Sequence, residues 1–191
     1  MTHISIIGTG NMGQAIASVA AKGGHTVQLL GQADSGTQAT GDVVVLAVPY
    51  PALDAVIAER GASFAGKIVV DITNPLNFET FDSLVVPTDS SAAAEVAAAL
   101  PESHVLKAFN TTFAATLSSG KTGDLSTTVL IAGDDTDAKS TLAQILTSGG
   151  LKAVDAGALT RARELEALGF LQLTLAAAEK ISWTGGFATA A

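Results

Sequence analysis

Gly8-Thr9-Gly10-Asn11-Met12-Gly13 has the spacing GxGxxG, which can bring a peptide backbone against a diphosphate. The pattern alone is weak, but here it follows a β-branched run that begins at His3 and opens an Ala-rich segment, which is the strand, turn and helix context of a dinucleotide fingerprint. We expect Gly8 to form the tight turn, Gly10 to let the backbone approach the diphosphate, and Gly13 to allow close helix packing. The N–H groups at the helix N-terminus would then bind the phosphates.

The side chain that meets the adenosine ribose distinguishes NAD from NADP, because a carboxylate accepts from the ribose hydroxyls of NAD whereas Arg pairs with the 2′-phosphate of NADP. No Lys or Arg lies between Lys22 and Arg60. The groups left to bind a 2′-phosphate are backbone N–H groups and the side chains of Gln32, Ser35 and Thr37. Asp34 lies near the offset of an NAD-type carboxylate, but it suits a turn in the segment ADSG equally well.

Further polar or proline-containing segments follow the next predicted strands, where ligands of open α/β sheets bind. Val48 and Pro49 are expected beside the adenine or nicotinamide ring, and Tyr50 either stacks on a ring or packs at a helix start. The segment Thr73-Asn74-Pro75 is expected to bond the carboxamide and ribose through Thr73 and Asn74, although the same tripeptide is typical of an ordinary turn. A third strand ends in Lys107-Ala108-Phe109-Asn110, and alternation sends Lys107 and Phe109 to one side and Ala108 and Asn110 to the other.

No Ser/His/Asp set, acid pair or activated Lys stands out, so the sequence assigns no catalytic residue and no metal site. Direct hydride transfer is compatible with this, because the nicotinamide supplies the reactivity and the protein supplies geometry. An alcohol dehydrogenase would need an acid or base for the hydroxyl proton. A second cofactor-like ring is therefore the favoured acceptor. We interpret Lys107 as paired or partly solvated rather than catalytic, and His3 and His25 as structural.

Composition excludes several other functions. Lys plus Arg number 10 against 18 Asp plus Glu, and the net charge of -8 has the wrong sign for a nucleic-acid binder. Cysteine is absent, which excludes disulfides, thiolate metal sites and cysteine nucleophiles. The longest apolar stretch, Ala167–Ala178, is too short for a membrane span, and the N-terminus has no basic segment of a signal peptide. We expect a cytoplasmic protein that binds neither nucleic acid nor membrane.

Short β-branched runs alternate with Ala/Leu-rich segments, which predicts an α/β fold with a doubly wound, mostly parallel Rossmann sheet. Strands are expected at His3–Ile7, Thr26–Leu30, Val43–Ala47, Lys67–Asp71, His104–Phe109, Thr128–Ala132 and Leu151–Asp155. Helices are expected at Asn11–Lys22, Pro51–Arg60, Ser90–Leu100, Thr136–Thr147 and Arg161–Ile181. The segment GQADSGTQATGD after the second strand is too short and too rich in Gly, Ser and Thr for a crossover helix, so the helix usual there is reduced to a loop.

The last helix divides the predicted organisation into a Rossmann domain over residues 1–157 and a C-terminal helical extension over residues 158–191. Leu168, Leu171 and Leu175 recur at helical spacing and form an apolar stripe. That stripe either covers the domain core or pairs two copies, and a homodimer through this helix is the expectation we carry forward.

GTGNMG, GH before the second strand, AVPY, DITNP, VLKAFNT and ARELE occur together and in order. In these motifs the chain, from Ile4 to about Gly186, resembles the NADP oxidoreductases that depend on the deazaflavin coenzyme F420. The same domain occurs in bacterial dinucleotide-binding oxidoreductases and in the cytosolic part of membrane ferric reductases. This set of motifs in register is far more specific than the glycine pattern alone.

The resemblance implies a Rossmann domain with a small C-terminal helical part and NADP lying along Gly8 to Gly13. It also implies a nicotinamide near Asn74 and Ala108 to Asn110, with a deazaflavin or flavin ring packed over it. The family has a Ser-Arg pair after the second strand, whereas this chain has Gly31-Gln32, so NADP rests on the resemblance and NAD stays an alternative. In the ARELE motif, Arg163 and Glu166 are expected to orient the C-terminal part or to face a dimer partner.

Hydride transfer between NADP(H) and a deazaflavin or flavin is the function expected from these observations. One alternative is an NADPH-dependent reductase of ferric chelates or of a small carbonyl compound. Another is a nucleotide-sensing module without catalysis, which would normally need an effector domain that 191 residues do not accommodate.

Overall fold

The structure is a computed structural model that describes residues 1–190, and its centre is a seven-stranded sheet. The strands are His3–Ile7 (β1), Thr26–Leu30 (β2), Val43–Leu46 (β3), Ile68–Asp71 (β4), His104–Lys107 (β5), Lys121–Thr122 (β6), Leu125–Ser126 (β7), Thr128–Gly133 (β8) and Lys152–Gly157 (β9). The sheet order is β2-β1-β3-β4-β5-β8-β9, and β6 and β7 form a separate small hairpin. All pairs in the large sheet are parallel except β5 with β8. The predicted doubly wound, mostly parallel sheet is confirmed.

The helices are Asn11–Lys22 (α1), Leu53–Arg60 (α2), Ala92–Ala99 (α3), Ala114–Ser119 (α4), Thr136–Ser148 (α5) and Ala162–Ala177 (α6). Single 3₁₀ turns at Tyr50–Ala52 and Leu159–Arg161 lead into α2 and α6. Between β2 and β3 only a 3₁₀ turn at Gln32–Asp34 is formed. The predicted loss of the crossover helix is therefore confirmed, and α6 is the predicted C-terminal helix.

Some predicted boundaries were wrong. The last helix ends at Ala177 rather than Ile181, and Glu179 then takes a positive φ of 57° that stops the helix. α4 and the β6–β7 hairpin were not predicted, because elements this short show no periodicity. The division at residue 157 stays a prediction, and Ala191 at its end lies outside the described residues.

The inner strands β1 and β3 are apolar on both faces, and alternate residues of one strand enter different cores. Ile4 and Ile6 join the cluster that contains α1 and α5 residues, whereas Ile7 joins the cluster under α2 and α3. Val45 and Val44 of β3 divide in the same way. Burial on both sides explains why these strands are continuous hydrophobic runs.

A fully buried ion cluster ties the sheet to two helices. The Lys107 ammonium lies 2.7 Å from Asp71 Oδ2, 2.7 Å from Glu166 Oε1 and 2.6 Å from the Thr73 carbonyl oxygen, which accepts from it. Glu166 also accepts from the backbone N–H of Ala92, at 3.0 Å, and so caps the start of α3. The paired interpretation of Lys107 and the orienting interpretation of Glu166 are confirmed.

The predicted apolar stripe of α6 is not the face that the helix buries. Leu171 is 49% exposed, and Leu168 and Leu175 are half-buried. The buried positions of the helix are Ala162, Leu165, Glu166, Gly169, Gln172 and Ala176. Three small residues, Leu165 and two hydrogen-bonding side chains therefore dock α6, and the stripe does not cover the core as one alternative supposed. Arg163 is exposed on the same helix.

Among residues 1–190, none of the helices combines the length and the apolar content that a bilayer crossing requires.

Replacing Lys107 with Met should lower the free energy of unfolding by about 3 to 5 kcal/mol, because two buried carboxylates would lose their cation. Urea unfolding followed by circular dichroism measures this change. Lys152→Met removes a cation from an exposed strand position and should change the free energy by less than about 0.5 kcal/mol. An equally small loss in both variants would show that the cluster does not anchor α6.

Candidate functional site

Two glycines where β1 turns into α1 have no room for a side chain. Gly8 has a φ of +122°, and a Cβ there would lie 2.0 Å from the Ala47 carbonyl oxygen. A Cβ on Gly13 would lie 2.0 Å from the Gly8 carbonyl oxygen. The turn and the close helix packing expected of these positions are therefore present.

The N-terminus of α1 is left open at this turn. Gly10 is the N-cap residue, no side chain caps the helix, and its first turn carries no acid. A Cβ on Gly10 would meet no atom within 4 Å. The N–H groups of the first turn and the positive end of the helix dipole thus face open space, which is the arrangement that binds an anion.

One cavity, of about 490 Å³, lies on the β2 side of this helix N-terminus. Its lining includes the predicted nucleotide-binding residues Gly8, Thr9, Gly10, Gln32, Val48 and Pro49. Glu59 and Arg60, from the end of α2, line the same cavity. The cavity joins the glycine turn to the trimmed loop, where the adenosine half of a dinucleotide binds in this fold class.

A second cavity, of about 430 Å³, lies on the other side of the same helix N-terminus. Its lining includes the predicted residues Asn11, Met12, Asn74 and Asn110 together with Ile72, Phe113, Leu173 and Trp183. The full lining also contains Thr112, Ala114 and Ala115, so none of the side chains around it is ionisable. Consecutive residues of one turn therefore separate two cavities, and a diphosphate at that turn would join a ligand in one to a ligand in the other.

Asn74 and Asn110 bond first to each other and to α6. Asn110 Nδ2 donates to Asn74 Oδ1 at 3.0 Å and to the Leu165 carbonyl oxygen at 2.8 Å, and Asn74 Nδ2 donates to the Asn110 carbonyl oxygen at 2.9 Å. Gly169 makes this docking close, because a Cβ there would lie 2.3 Å from Asn74 Oδ1. Much of the capacity predicted to bind a carboxamide and ribose thus holds the helix in place.

Two buried side-chain atoms have no hydrogen-bond partner among the described residues: Asn110 Oδ1, whose residue lines this cavity, and Thr73 Oγ1, whose residue does not. Leaving such an atom unsatisfied costs about 1 to 3 kcal/mol, so an orphan next to a cavity points to a ligand donor. Asn110 is also a lining residue. An amide N–H of a bound ligand is the kind of group that its Oδ1 would accept from.

Other predicted residues do not present their side chains to either cavity. Thr73, Pro75, Ala108 and Phe109 are buried, and the Phe109 ring belongs to the main core. Any contact from these positions would come from their backbone. Phe109 has a positive φ of 65°, which turns the chain after β5 and brings Asn110 to the second cavity.

The sequence left two roles open for Tyr50 and two for Asp34, and the structure shows the contacts that each side chain makes. The Tyr50 hydroxyl donates to Glu95 Oε2 at 2.7 Å, and burial followed by this bond raises the pKa of Tyr50 above its ordinary value. Tyr50 thus packs at the start of α2, and it is not among the residues that line the two cavities. Asp34 Oδ2 accepts from the backbone N–H of Gly31 at 2.8 Å, so this carboxylate forms the turn.

Sequence reasoning missed Glu59, Arg60, Phe113, Leu173 and Trp183. Arg60 was taken as the far limit of a segment without cations, but it folds back onto that segment. Trp183 follows the last helix in a segment without regular structure and packs on Phe113, with ring centroids 5.0 Å apart. The signal that was present is composition, because this is the one Trp in the chain.

Comparisons with known proteins agree with this geometry. The sequence model described as NADP oxidoreductase, coenzyme F420-dependent, matches residues 27–75. The F420-dependent NADP reductase of Methanocaldococcus jannaschii is 31% identical over 166 residues, which cover 85% of this chain and 74% of that protein. Metalloreductase STEAP3 of Rattus norvegicus is 30% identical over 180 residues, covering 86% of this chain but 36% of that protein, so the chain spans about a third of its length.

A crystal structure of a proposed F420-dependent NADP reductase from Arthrobacter sp. FB24 superimposes with a TM-score of 0.84 at 26% identity. The alignment covers 100% of both chains. The overall architecture of this chain is thus shared with that structure over its whole length.

Replacing Gly10 with Ala separates binding from folding. The added methyl group meets no atom within 4 Å, so the free energy of unfolding should change by less than about 1 kcal/mol. The same methyl group stands where a diphosphate would approach, and NADPH affinity should fall at least about tenfold, or 1.4 kcal/mol.

Calorimetric titration and urea unfolding of the same preparations measure both quantities. Gly13→Ala is the comparison variant, since its methyl group would lie 2.0 Å from the Gly8 carbonyl oxygen and should destabilise the fold. NADPH binding by Gly10→Ala at the strength of the unaltered protein would show that no phosphate lies against Gly10.

Proposed function

Since this chain belongs to the family of F420-dependent NADP oxidoreductases, we propose that it transfers hydride between NADP(H) and a deazaflavin ring bound in the second cavity. The observation that carries the proposal is that, within residues 1–190, no ionisable side chain lines that cavity. Reduction of a carbonyl compound requires a proton donor at the substrate oxygen. Hydride transfer to a deazaflavin ring leaves a negative charge that is delocalised in the ring, and a ring nitrogen can take its proton from solvent afterwards. The protein then needs to supply geometry and the exclusion of water during the transfer.

The first cavity suits the adenosine half of NADP. Val48 and Pro49 offer an apolar edge for the adenine ring, and Gln32 lines the same cavity. The open first turn of α1 supplies N–H donors and positive dipole for the diphosphate. Position along the chain supports this order, since residues 8–10 line the first cavity and residues 11 and 12 line the second.

The second cavity suits two stacked rings. When bound, the nicotinamide supplies or accepts the hydride, so the protein needs only to position and shield it. Asn110 Oδ1 would accept from the carboxamide N–H, which meets its unsatisfied bonding capacity. Met12, Ile72 and Leu173 supply apolar walls that exclude water. Trp183 and Phe113 offer aromatic faces to the acceptor ring.

The experiment that tests this function begins with matched titrations of NADPH and NADH. Single-turnover oxidation of the bound nucleotide follows, with deazaflavin, FMN or a ferric chelate as acceptor and NADPH absorbance as the signal. We expect NADPH to bind below millimolar concentration and the deazaflavin to oxidise it fastest. Failure of both nucleotides to bind would refute the proposal. If the ferric chelate oxidised bound NADPH faster than the deazaflavin did, the acceptor would be a ferric chelate instead.

Replacing Trp183 with Ala tests the acceptor wall. Loss of one stacking face is worth about 1 to 3 kcal/mol, so the KM for the deazaflavin should rise roughly tenfold or more. The dissociation constant of NADPH should stay within about twofold, because the nucleotide is held mainly by α1. Phe187→Ala removes an aromatic ring from the same C-terminal segment outside this cavity and serves as control. Equal KM values in the two variants would show that Trp183 does not contact the acceptor.

Replacing Gln32 with Arg tests the ribose end. A guanidinium in the first cavity should favour NADPH over NADH by about 1 to 2 kcal/mol, judged from charge-assisted hydrogen bonds. Gln38→Arg adds the same charge at an exposed position of the same loop that does not line the cavity. A ratio of dissociation constants that Gln32→Arg leaves unchanged would mean that this side chain does not face the 2′ position.

Assembly and location remain predictions. An exposed Leu171 between half-buried Leu168 and Leu175 supports a homodimer through α6, and sedimentation velocity measures the oligomeric state directly. The expected cytoplasmic location is retained in the same way.

A further inference from the structure

The trimmed loop between β2 and β3 is hydrogen-bonded to the Arg60 side chain. The guanidinium lies at the end of α2, and its side chain is only 6% exposed. Nη2 donates to the Asp34 carbonyl oxygen at 2.7 Å, and Nη1 donates to the Thr37 carbonyl oxygen. Where the fold usually has a crossover helix, one buried cation from the next helix thus fixes the loop.

Arg60 is also the cation of the first cavity. None of the other residues that line this cavity is Lys or Arg. The sequence carries no other cation between Lys22 and Arg60. Arg60, at the end of α2, therefore brings a positive charge to a cavity to which the β2–β3 loop contributes no Lys or Arg.

One carboxylate oxygen of the neighbouring Glu59 lies close to three donors: Arg60 and two groups of the loop. Its Oε1 accepts from the backbone N–H of Gly36 at 2.8 Å and from the Ser35 hydroxyl at 3.0 Å. The same oxygen lies 3.3 Å from Arg60 Nη2. The Gly36 N–H, followed by the Ser35 hydroxyl, holds the pKa of Glu59 below its ordinary value.

A backbone N–H, a hydroxyl and a guanidinium directed at one oxygen are the set of donors that binds a phosphate monoester. Glu59 therefore places its own anion where this set converges. The two partners differ in exposure: the Glu59 side chain is 39% exposed, whereas that of Arg60 is 6% exposed and donates to two carbonyl groups. An incoming dianion can displace the carboxylate into solvent while Arg60 stays in place.

We propose that Arg60 is the cation that recognises the 2′-phosphate of NADP, and that Glu59 is the internal anion which this phosphate replaces. Glu59 then sets the discrimination between NADP and NAD, because the loop donors stay satisfied when NAD binds and are transferred to the phosphate when NADP binds. The inference rests on the proposed function, since it requires the adenosine half of the nucleotide in the first cavity. It adds Arg60 and Glu59 to the nucleotide site, together with a competition between the Glu59 carboxylate and the 2′-phosphate for the same donors.

The test uses adenosine 2′,5′-bisphosphate and 5′-AMP, which carry the ribose end without a nicotinamide. Calorimetric titration into the full chain measures both dissociation constants independently of hydride transfer. Glu59→Gln removes the competing charge and keeps the side-chain shape, so affinity for the bisphosphate should rise about tenfold while that for 5′-AMP changes by less than about twofold. Asp54→Asn removes one charge from an exposed position of the same helix outside the cavity and should alter neither constant.

Ser35→Ala provides a second variant at the surface, because replacing the buried Arg60 would also remove the two hydrogen bonds that fix the loop. Loss of the hydroxyl donor should weaken bisphosphate binding about three- to tenfold and leave 5′-AMP unchanged. Arg60→Lys keeps the charge but not the two-pronged geometry, and in folded preparations it should lower bisphosphate affinity selectively.

The two dissociation constants distinguish failure of this inference from failure of the proposed function. Weaker binding of 5′-AMP by Glu59→Gln would overturn the inference, since the carboxylate would then be accepting from the ribose hydroxyls. Unchanged bisphosphate affinity in both Glu59→Gln and Ser35→Ala would overturn it as well. Failure of the unaltered protein to bind either compound would instead refute the placement of the nucleotide, and thus the proposed function itself.

Discussion

The free main-chain N–H groups at the start of α1 are the feature on which the rest of this molecule depends. A Ser or Asp side chain at the N-cap would accept a hydrogen bond from these N–H groups and leave fewer of them for an anion. Here the N-cap is Gly10, which has no such side chain. At Gly8 and at Gly13 a Cβ would lie 2.0 Å from a backbone carbonyl oxygen, so this close turn requires glycine at both positions. The aligned peptide dipoles add positive potential at the same point. A diphosphate is the ligand whose charge and length fit a turn that separates two cavities.

The second cavity owes its shape to a different set of forces. Lys107 holds two carboxylates in a fully buried cluster, and one of them, Glu166, belongs to α6. Asn110 bonds to the α6 backbone at Leu165, and Gly169 lets the helix approach without a clash. Polar contacts rather than an apolar stripe therefore dock this helix. Its Leu173 then reaches the wall of the cavity, which links the stability of the C-terminal helix to the shape of the site.

The sequence was sufficient for the elements whose signals are local. β1, α1 and β2 were predicted to the residue, because continuous apolar runs and a glycine turn mark them directly. The loss of the crossover helix followed from the composition of one short segment. What lies in the first cavity did not follow, since Arg60 contacts a loop more than twenty positions earlier in the chain. Burial of the Phe109 ring depended on a positive φ that no pattern of residue types signals.

Side chains with two uses were the hardest to assign. Asn74 and Asn110 were predicted as ligand-binding residues from their place at strand ends, and that place is correct. Their amides nevertheless hold each other and α6, which only the distances reveal. Lys107 was interpreted as paired because it lies in an apolar strand, and Glu166 was expected to orient the C-terminal part from the resemblance of the ARELE motif. One buried cluster accounts for both.

The most direct test of the central claim is a titration of isotope-labelled protein with NADP⁺, followed through the backbone amide resonances. We expect the amide protons of Gly10, Asn11 and Met12 to shift to lower field more than any others, because hydrogen bonds to phosphate oxygens are charge-assisted and short. Saturation by NADP⁺ with these three resonances unmoved, and the largest shifts elsewhere in the chain, would contradict it.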